Sequence, residues 1–485
     1  MRPKLKKTLF VFTVVFVFFD VIYSFRQHYN AVLDGDIPES VLPLPYIESV
    51  FADPLGIKTI INNNPHAAPN RFFSHYFENR WFNSVPFAFQ LISDPIHSVY
   101  LSQGLFKTII QVLLIYLLTV FTFGTFLPFN KWKHWLVILF YSALFQSCGK
   151  VRSMGIIDPA VTYVFFYAMP LLFLMLYLLP FIFEEFYSKK AFKSKIFTFI
   201  WSIVFLLLSN FSGPVNTGTA LVFIAVIFLR YIRLYTKRAK RKPYILNFFK
   251  YIPKHFWLYL LPLGVVALYS LFLGTYNTMW TEEAIPLKVR FLLLPRGIFE
   301  MFVHNFGFSI LTTGCLINTV LLLRTKNKNY ENAASLFAWI LLFTCIYILL
   351  LPLGGYRHYR PYIIRYDTVI CISVAFFFYE VYSSLILLSE VLKNKTQRGI
   401  YITYIIIFAG YFFVIDDPAS WRKTEEKEMM YKIAESKDNP VILDRNVTVI
   451  AWEPANEPQK SVNSAKCMKL WNITKDEKLF YCNTN

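Results

Sequence analysis

The chain has 485 residues, of which 56% are hydrophobic, 19% aromatic and only 16% charged, and its formal net charge is +19. This composition is too apolar for a soluble domain and indicates a protein that lies largely in a lipid bilayer. It also argues against a nucleic-acid partner, because the basic residues follow the loops between apolar segments and form no basic domain of their own.

About eleven apolar segments are predicted to cross the membrane as helices, since about 20 apolar residues span a hydrocarbon core of about 30 Å. The first follows a basic head that contains Arg2 and Lys4. It lacks the small-residue site at which a signal peptide is cleaved, so we expect it to remain as a permanent span. The predicted spans lie near residues 8–25, 105–127, 134–148, 159–183, 196–210, 216–234, 256–274, 299–323, 334–353, 367–391 and 399–416.

Lysine and arginine collect in alternate loops, such as 189–195 and 230–242, whereas the intervening loops hold most of the acids. Short cytoplasmic loops carry the excess of basic residues, so the N-terminus is predicted to be cytoplasmic. We therefore expect an all-α polytopic membrane domain (residues 1–416) with a long first outer loop (26–104). A small α/β outer tail (417–485) follows.

The first outer loop is rich in aromatic residues that helices lying along a membrane surface would bury. These residues are Phe72, Phe73, Tyr76, Phe77, Trp81, Phe82, Phe87 and Phe89. The loop is therefore predicted to contain interfacial helices and to lie close to the bilayer.

The same loop carries the acidic motif Asp34-Gly35-Asp36. In an extended backbone the two carboxylates point to one side, and Gly35 leaves room for a substrate. Such a pair acts as a general base or binds a divalent cation, Mg or Mn, through its oxygens. The alternative is an ordinary turn, because Asp-Gly is among the commonest turn dipeptides.

A basic segment lies between the ninth and tenth predicted spans, on the otherwise acidic outer side. Its candidate site residues are Tyr356, Arg357, His358, Arg360 and Arg365. Arginine forks bind phosphate oxygens through two parallel hydrogen bonds, so this segment is predicted to bind a phosphate group. The alternative is that these arginines pair with Asp367 and the first-loop acids, or contact anionic lipid head groups.

Further outer cations, Lys150, Arg152 and Arg290, together with His304, are predicted to line the same cavity, although a lone histidine is more often a packing residue. Asp20 and Glu380 lie inside predicted spans and should turn inward, because an ionised group is costly in lipid.

The tail is predicted to form a charged helix over residues 421–437, followed by two short strands at 441–443 and 447–450. Cys467 and Cys482 also lie in the tail. On this topology they face an oxidising compartment, where a disulfide between them is plausible.

The whole layout resembles the GT-C superfamily of integral membrane glycosyltransferases, which use polyprenyl-phosphate-linked sugars. The resemblance rests on the first span, the long outer loop with its early Asp34-Gly35-Asp36 motif, the many spans, the later basic outer loops and the C-terminal outer domain. The stretch 93–100 also looks like the return of such a loop into the second span. Gly35 interrupts the adjacent acidic pair of several such enzymes, and the tail carries no family motif.

The resemblance implies that Asp34 or Asp36 is the catalytic acid/base and that Arg357, Arg360 and Arg365 hold the donor phosphate. We therefore expect a glycosyltransferase on the periplasmic face of a bacterial inner membrane, acting on an acceptor glycan, lipid or protein of the cell envelope. A transporter or flippase is an alternative that should show paired halves with broken helices. A non-catalytic subunit of an envelope complex is another. The glycosyltransferase hypothesis requires the Asp34-Gly35-Asp36 motif and the basic segment around Arg357 to line one cavity.

Overall fold

The computed structural model describes residues 3–126, 130–146, 155–238, 245–279, 285–304, 306–354, 364–415 and 422–482. Six of the predicted site residues lie outside these ranges: Lys150, Arg152, Tyr356, Arg357, His358 and Arg360. For a seventh, His304, the description covers the backbone but not the side chain.

The first outer loop is helical along much of its length. A long first helix is followed by five short ones: α1 (Pro3–Tyr29), α2 (Ile37–Val41), α3 (Pro45–Ala52), α4 (Ile57–Ile61), α5 (Phe72–Phe82) and α6 (Val85–Phe89). Phe82 is fully buried, and Phe77 and Trp81 pack against the main core, so the aromatic side of α5 faces protein. The most exposed apolar side chains of this loop are instead Leu91 and Ile92.

Local residues determine where the second long helix, α7 (Pro95–Phe123), begins and ends. The Asp94 side chain accepts hydrogen bonds from the backbone N–H groups of Ile96 and His97, which caps the helix, and Pro95 occupies the first helical position. The helix ends at Gly124, which has a left-handed backbone with φ of +58°.

The remaining membrane-domain helices follow in chain order. They are α8 (Trp132–Leu144), α9 (Val161–Tyr163), α10 (Met169–Tyr187), α11 (Lys195–Asn210), α12 (Pro214–Arg238), α13 (Ile245–Tyr251), α14 (Leu261–Leu273), α15 (Leu287–His304), α16 (Phe306–Arg324), α17 (Lys328–Leu350), α18 (Ile370–Ile386) and α19 (Lys395–Ile415). A π-helical turn precedes α10 (Val164–Ala168), another precedes α14 (Phe256–Leu260), and a third follows α18 (Leu387–Val391). Short 3₁₀ turns occupy Gly274–Tyr276 and Leu351–Gly354.

Within the described ranges, nine helices are long and apolar enough to cross a membrane. Two of the eleven predicted spans correspond to shorter helices, α8 with 13 residues and α11 with 16. Many large apolar side chains on the long helices are exposed, such as Phe19 at 67% and Ile407 at 68%. Such extensive exposed apolar surface requires a lipid environment, which supports the predicted helical membrane protein.

Helix ends meet on two opposite faces of the protein. One face, called the loop face below, brings together the first loop, the start of α9, the turn at 211–213 and the tail; for example, the Phe73 N–H donates to the Phe211 carbonyl at 3.0 Å. On the other face, Glu185 at the end of α10 pairs with Arg230 of α12 and with His255. The two ends of the segment from α9 to α10 therefore lie on opposite faces.

The tail contains α20 (Arg422–Glu435), β1 (Val441–Leu443), the 3₁₀ turn Pro458–Ser461, α21 (Val462–Leu470) and β2 (Phe480–Cys482). The predicted helix and the first predicted strand are confirmed. The strand predicted at 447–450 is wrong, because β1 pairs in parallel with β2 instead. The Ile450 N–H instead donates a hydrogen bond to Glu426, so this segment contacts helix α20.

The structure does not form the predicted disulfide, since Cys467 and Cys482 are both buried and both free thiols. Cys467 lies in the packed core between the tail and the first loop, and the Cys482 Sγ lies 3.6 Å from the Val447 carbonyl oxygen as a hydrogen-bond donor. Both residues serve here as small buried side chains.

The two predicted intramembrane acids turn inward. Asp20 accepts hydrogen bonds from Ser142 and Gln146 of the α8 region, and Glu380 accepts one from Asn318 of α16 at 3.0 Å. Both are bonded to neighbouring helices, as an acid in an apolar environment requires.

Candidate functional site

The Asp34-Gly35-Asp36 motif forms the turn between α1 and α2 on the loop face. Asp34 is only 2% exposed and is hydrogen-bonded on both carboxylate oxygens. Its Oδ1 accepts from the Thr162 hydroxyl at 2.7 Å and from the Asp36 N–H at 3.2 Å, and its Oδ2 accepts from the Thr162 N–H at 3.1 Å. Asp34 therefore anchors the turn to the start of α9.

Asp36 has a different environment and is partly exposed. It occupies the N-cap position of α2, where an aspartate commonly accepts hydrogen bonds from the first helical N–H groups, but its side chain makes no capping bond. Instead its Oδ1 accepts a hydrogen bond of 2.7 Å from the indole N–H of Trp452 in the tail. The carboxylate thus points out of the turn and across the loop face.

The tail closes directly over this turn. A Cβ on Gly35 would lie 2.6 Å from the Trp452 backbone nitrogen, so only glycine fits at this position. The Trp452 ring is 47% exposed and lies 5.7 Å from the Tyr163 ring, measured between centroids. Asp36 therefore contacts Trp452, whose ring in turn lies beside that of Tyr163.

A second carboxyl lies behind the turn, on helix α5. Glu78 is fully buried, and its Oε1 lies within hydrogen-bond distance, at 2.6 Å, of the same Thr162 hydroxyl that contacts Asp34. Burial, and next the charge of Asp34, raises the pKa of Glu78 well above its usual value. Burial, and next the charge of Asp36, raises the pKa of Asp34 to about 6.

Arg365, the predicted phosphate ligand that the structure describes, reaches the same region. Its guanidinium forms an ion pair with Asp367 and interacts electrostatically with Tyr163, Tyr167 and Asp158. Burial, the largest single influence, acts to lower the pKa of Arg365, but the combined charges of Asp367, Tyr167, Tyr163 and Asp158 outweigh it, so the pKa is raised. The alternative predicted from the sequence, pairing with Asp367, therefore holds for this arginine.

Asp158 connects the two halves of the site. Burial, and next the charge of Asp367, raises its pKa to about 7, and Asp34 is also close enough to contribute. Lys107 of α7 compensates some of this negative charge, and its Nζ donates to the adjacent Pro159 carbonyl at 2.6 Å. The first-loop acids and Arg365 thus converge around residues 158–167.

A further cation, Arg71 at the start of α5, contacts the π-helical turn that joins α9 to α10, about one helical turn beyond Tyr163. The Arg71 guanidinium sits over the Phe166 ring at 5.5 Å from its centroid, beside Gly213. Among the described residues, Arg71 has no ion pair with a carboxylate. Segments with π-helical geometry occur often at functional sites, where they re-aim side chains.

The remaining predicted cavity residue that the structure describes has a structural role. Arg290 donates to the backbone carbonyls of Ile285 and Pro352, at 2.6 and 3.1 Å. These bonds tie the start of α15 to the end of α17.

The sequence also predicted a divalent cation at Asp34 and Asp36. In the part of the chain that the structure describes, no group of three or more His, Cys, Asp or Glu side chains could hold a metal ion. Both oxygens of Asp34 already accept hydrogen bonds. The Asp34 oxygens therefore stabilise the turn between α1 and α2, and the Asp36 Oδ1 binds the Trp452 indole.

Sequence reasoning did not identify five contributors to the site: Thr162, Tyr163, Trp452, Glu78 and Arg71. Glu78 carried a usable signal, because on a helix it shares one face with His75 and Phe82 and so lies on the buried side of α5. Thr162 and Trp452 carried none, since their roles depend on contacts with the distant Asp34-Gly35-Asp36 turn.

Comparisons with known proteins add no relative: no family model, no curated protein and no solved structure matches this chain. The fold alone defines its class as a polytopic α-helical membrane protein. The loop face of that fold carries a cluster of acids, aromatic side chains and two arginines.

Proposed function

We propose that this protein is a membrane glycosyltransferase that moves a sugar from a polyprenyl-phosphate-type lipid to an acceptor hydroxyl. The observation that carries the proposal is the partly exposed Asp36 carboxylate, held beside Trp452 and Tyr163 with Arg365 and Arg71 nearby. A positioned carboxylate, aromatic walls and phosphate-binding cations are the groups that such a transfer uses.

Asp36 is the better general base of the two predicted candidates. Asp34 is buried and its oxygens accept three hydrogen bonds, so an acceptor hydroxyl cannot approach it without breaking the turn. Asp36 is more exposed, and the Trp452 indole fixes its orientation. Fixed orientation matters because the base must lie within hydrogen-bond reach of the hydroxyl that it deprotonates.

The donor lies along the segment from Tyr163 to Phe166 in this proposal. One helical turn, about 5.4 Å, separates the aromatic pair of Tyr163 and Trp452 from Arg71. Because α10 continues from this segment across the membrane domain, Arg71 lies on the side of Tyr163 from which a lipid would arrive. The sugar then sits at the aromatic pair and its phosphate at the arginine.

The reaction is a displacement at the anomeric carbon. Asp36 takes the proton of the acceptor hydroxyl, and the acceptor oxygen forms a bond to the anomeric carbon. The bond from that carbon to the phosphate oxygen breaks, and its electron pair leaves with the lipid phosphate. Arg71 and Arg365 stabilise the charge on this leaving group.

The loop face is the periplasmic face of a bacterial inner membrane in this proposal. The opposite face carries the basic turns, including Lys189, Arg230 and Lys326, and a bias of this kind marks the cytoplasmic side. A lipid-phosphate donor supplies the activated sugar there without a nucleotide.

The test is a transfer assay on the purified full-length protein in lipid vesicles, with a panel of decaprenyl-phosphate-linked sugars and release of decaprenyl phosphate as the readout. We expect Asp36→Asn to lower the rate by about 10²- to 10⁴-fold, the usual contribution of a general base. Asp444→Asn, which changes an exposed aspartate of the tail, is the matched control and should leave the rate unchanged. Full activity of Asp36→Asn would exclude Asp36 as the base.

Arg71→Gln tests the donor side of the same assay. We expect it to raise the KM for the lipid donor, because a cation on the phosphate is lost. Arg80→Gln is the control: Arg80 lies in α5, which begins directly after Arg71, but its guanidinium stacks on the Tyr76 ring. Equal effects of the two variants would contradict the placement of the phosphate at Arg71.

A further inference from the structure

Glu78 lies fully buried behind the acidic turn and is not part of the proposed transfer chemistry. Its Oε1 is 2.6 Å from the Thr162 hydroxyl, whereas its Oε2 accepts no hydrogen bond among the described residues. A buried carboxylate with one unpaired oxygen is costly, whereas a neutral carboxylic acid tolerates the same surroundings at far lower cost.

The hydroxyl of Thr162 has one proton but two carboxyl neighbours. It lies 2.7 Å from Asp34 Oδ1 and 2.6 Å from Glu78 Oε1. A threonine hydroxyl donates one hydrogen bond and accepts others, so it cannot donate to both oxygens. One of the two carboxyl groups must therefore be protonated and donate a hydrogen bond to the Thr162 oxygen.

The surroundings decide which group is protonated. Asp34 also accepts from two backbone N–H groups, those of Thr162 and Asp36, and such bonds stabilise the anion. Glu78 accepts from no backbone N–H among the described residues, and its other neighbour, Ser40, lies 2.8 Å from the ring of His75. Burial, and next the charge of Arg71, lowers the pKa of His75 to about 3, so this histidine is neutral and supplies no positive charge.

We propose that Glu78 is a neutral carboxylic acid that donates to Thr162, while Thr162 donates to an ionised Asp34. The chain of bonds runs from the Glu78 O–H to the Thr162 oxygen and from the Thr162 O–H to Asp34 Oδ1. Glu78 is a positioning residue in this arrangement, because it never touches substrate.

The arrangement fixes the turn that carries Asp36. The Asp34 anion accepts the Asp36 N–H, so the protonated Glu78 holds that backbone in place through Thr162 and Asp34. If both Glu78 and Asp34 were ionised, they would repel each other across Thr162 and open the turn. The effect on transfer rests on the proposed function, whereas the protonation state does not.

Infrared difference spectroscopy tests the protonation state without any substrate. The full-length protein is compared with Glu78→Gln in lipid nanodiscs at pH 7. We expect the variant to lose a carbonyl stretch of an un-ionised carboxylic acid. Glu428→Gln, which changes an exposed glutamate paired with Arg445, is the control and should lose only ionised-carboxylate bands. Loss of only such ionised bands from Glu78→Gln would overturn the proposal.

Thr162 provides a second test in case Glu78→Gln does not fold. Thr162→Val removes the bridging hydroxyl while keeping the side-chain shape, and we expect it to shift or abolish the neutral-acid band. Thr119→Val is the matched control, because Thr119 is also buried but, among the described residues, bonds only to the Ile115 carbonyl of its own helix. An unchanged carboxyl spectrum in Thr162→Val would likewise contradict the bridge.

The transfer assay separates this inference from the proposed function. Glu78→Gln, whose amide can still donate to Thr162, should lower transfer less than Glu78→Leu, which has no donor. If the neutral-acid band is present but no sugar is transferred by the unmodified protein, the proton arrangement holds and the glycosyltransferase proposal fails. If transfer occurs without that band, the proposal for Glu78 fails alone.

Discussion

Two aspartates separated by one glycine have different chemical roles in this protein. Asp34 is enclosed by Thr162 and its own turn, whereas Asp36 is exposed to the loop face and is oriented by Trp452. The sequence predicted the pair as a unit, because an extended backbone directs both side chains to the same side. The turn that forms instead separates them, since Asp36 begins helix α2 with a helical backbone.

The close approach of Trp452 leads to a prediction for residue 35. In Gly35→Ala the new Cβ would lie 2.6 Å from the Trp452 nitrogen and 2.8 Å from its Cδ1, so the tail must shift. Overpacking of this kind costs about 1–3 kcal/mol of the free energy of unfolding. We expect a lower unfolding midpoint and lower transfer activity, measured on the protein in detergent and in vesicles.

The control for this substitution is Gly410→Ala in α19, where a Cβ meets no atom within 4 Å. Alanine is also the better helix former, so this variant should be neutral or slightly stabilised. If Gly35→Ala were as stable as Gly410→Ala, the tail would not be in contact with the acidic turn.

At the level of elements, helix α20 anchors the tail through one buried acid. Glu426 accepts hydrogen bonds from the Tyr100 hydroxyl of α7 at 2.6 Å, from the Leu33 N–H at 3.1 Å and from the Ile450 N–H at 3.1 Å. Leu33 immediately precedes the acidic turn. The position of α20 is therefore coupled to the position of the candidate site.

This anchor makes stability depend on pH. Burial raises the pKa of Glu426 from 4.5 to about 7, so the folded state binds its proton more tightly than the unfolded chain does. Its contribution is complete below the unfolded pKa and is lost as the pH rises through about 7. From the size of the shift the change is at most about 3 kcal/mol. We expect the unfolding midpoint to fall between pH 5 and pH 8.

Glu426→Gln should weaken this pH dependence, because the amide does not titrate, while Asp34 and Asp158, whose pKa values are raised to about 6 and about 7, keep their share of it. Glu428→Gln on the same helix should keep it, since the exposed pair with Arg445 is weakly coupled to folding. Lys427, whose pKa is lowered to about 8, changes charge mostly above this range. A pH profile of Glu426→Gln identical to that of the unmodified protein would exclude Glu426 as the titrating group.

Elements with a strong local signal were predicted well. The long apolar helices follow from hydropathy. Helix α7 begins at Pro95, well before the predicted span at 105–127, although Asp94-Pro95 carries a local helix-start signal. The second strand of the tail was misplaced, because the segment 447–450 alternates like a strand but pairs with no other strand in the part of the chain that the structure describes. Three-residue strands depend on the tertiary contacts that supply the partner.

For the whole molecule, the alternation of helix ends predicts that the tail and the turn at 325–327 lie on opposite sides of the membrane. Alkaline phosphatase fused after Asn485 should be active in a bacterial host, because it folds only outside the cytoplasm. Green fluorescent protein inserted after Lys326 should fluoresce. An inactive phosphatase together with a dark fluorescent protein would invert the proposed orientation. A signal from one reporter without the other would place both sites on one side of the membrane and contradict the two-faced arrangement.

The sequence by itself determined that the chain lies in a membrane and where its long helices run. These properties depend on local hydropathy and on caps that neighbouring residues supply. Only the tertiary structure decided which carboxylate is exposed, which cations stand beside it and which residues of the tail cover the turn. Those outcomes depend on contacts among segments that are far apart in the chain, such as Asp34 with Thr162 and Asp36 with Trp452, and no local pattern encodes such contacts.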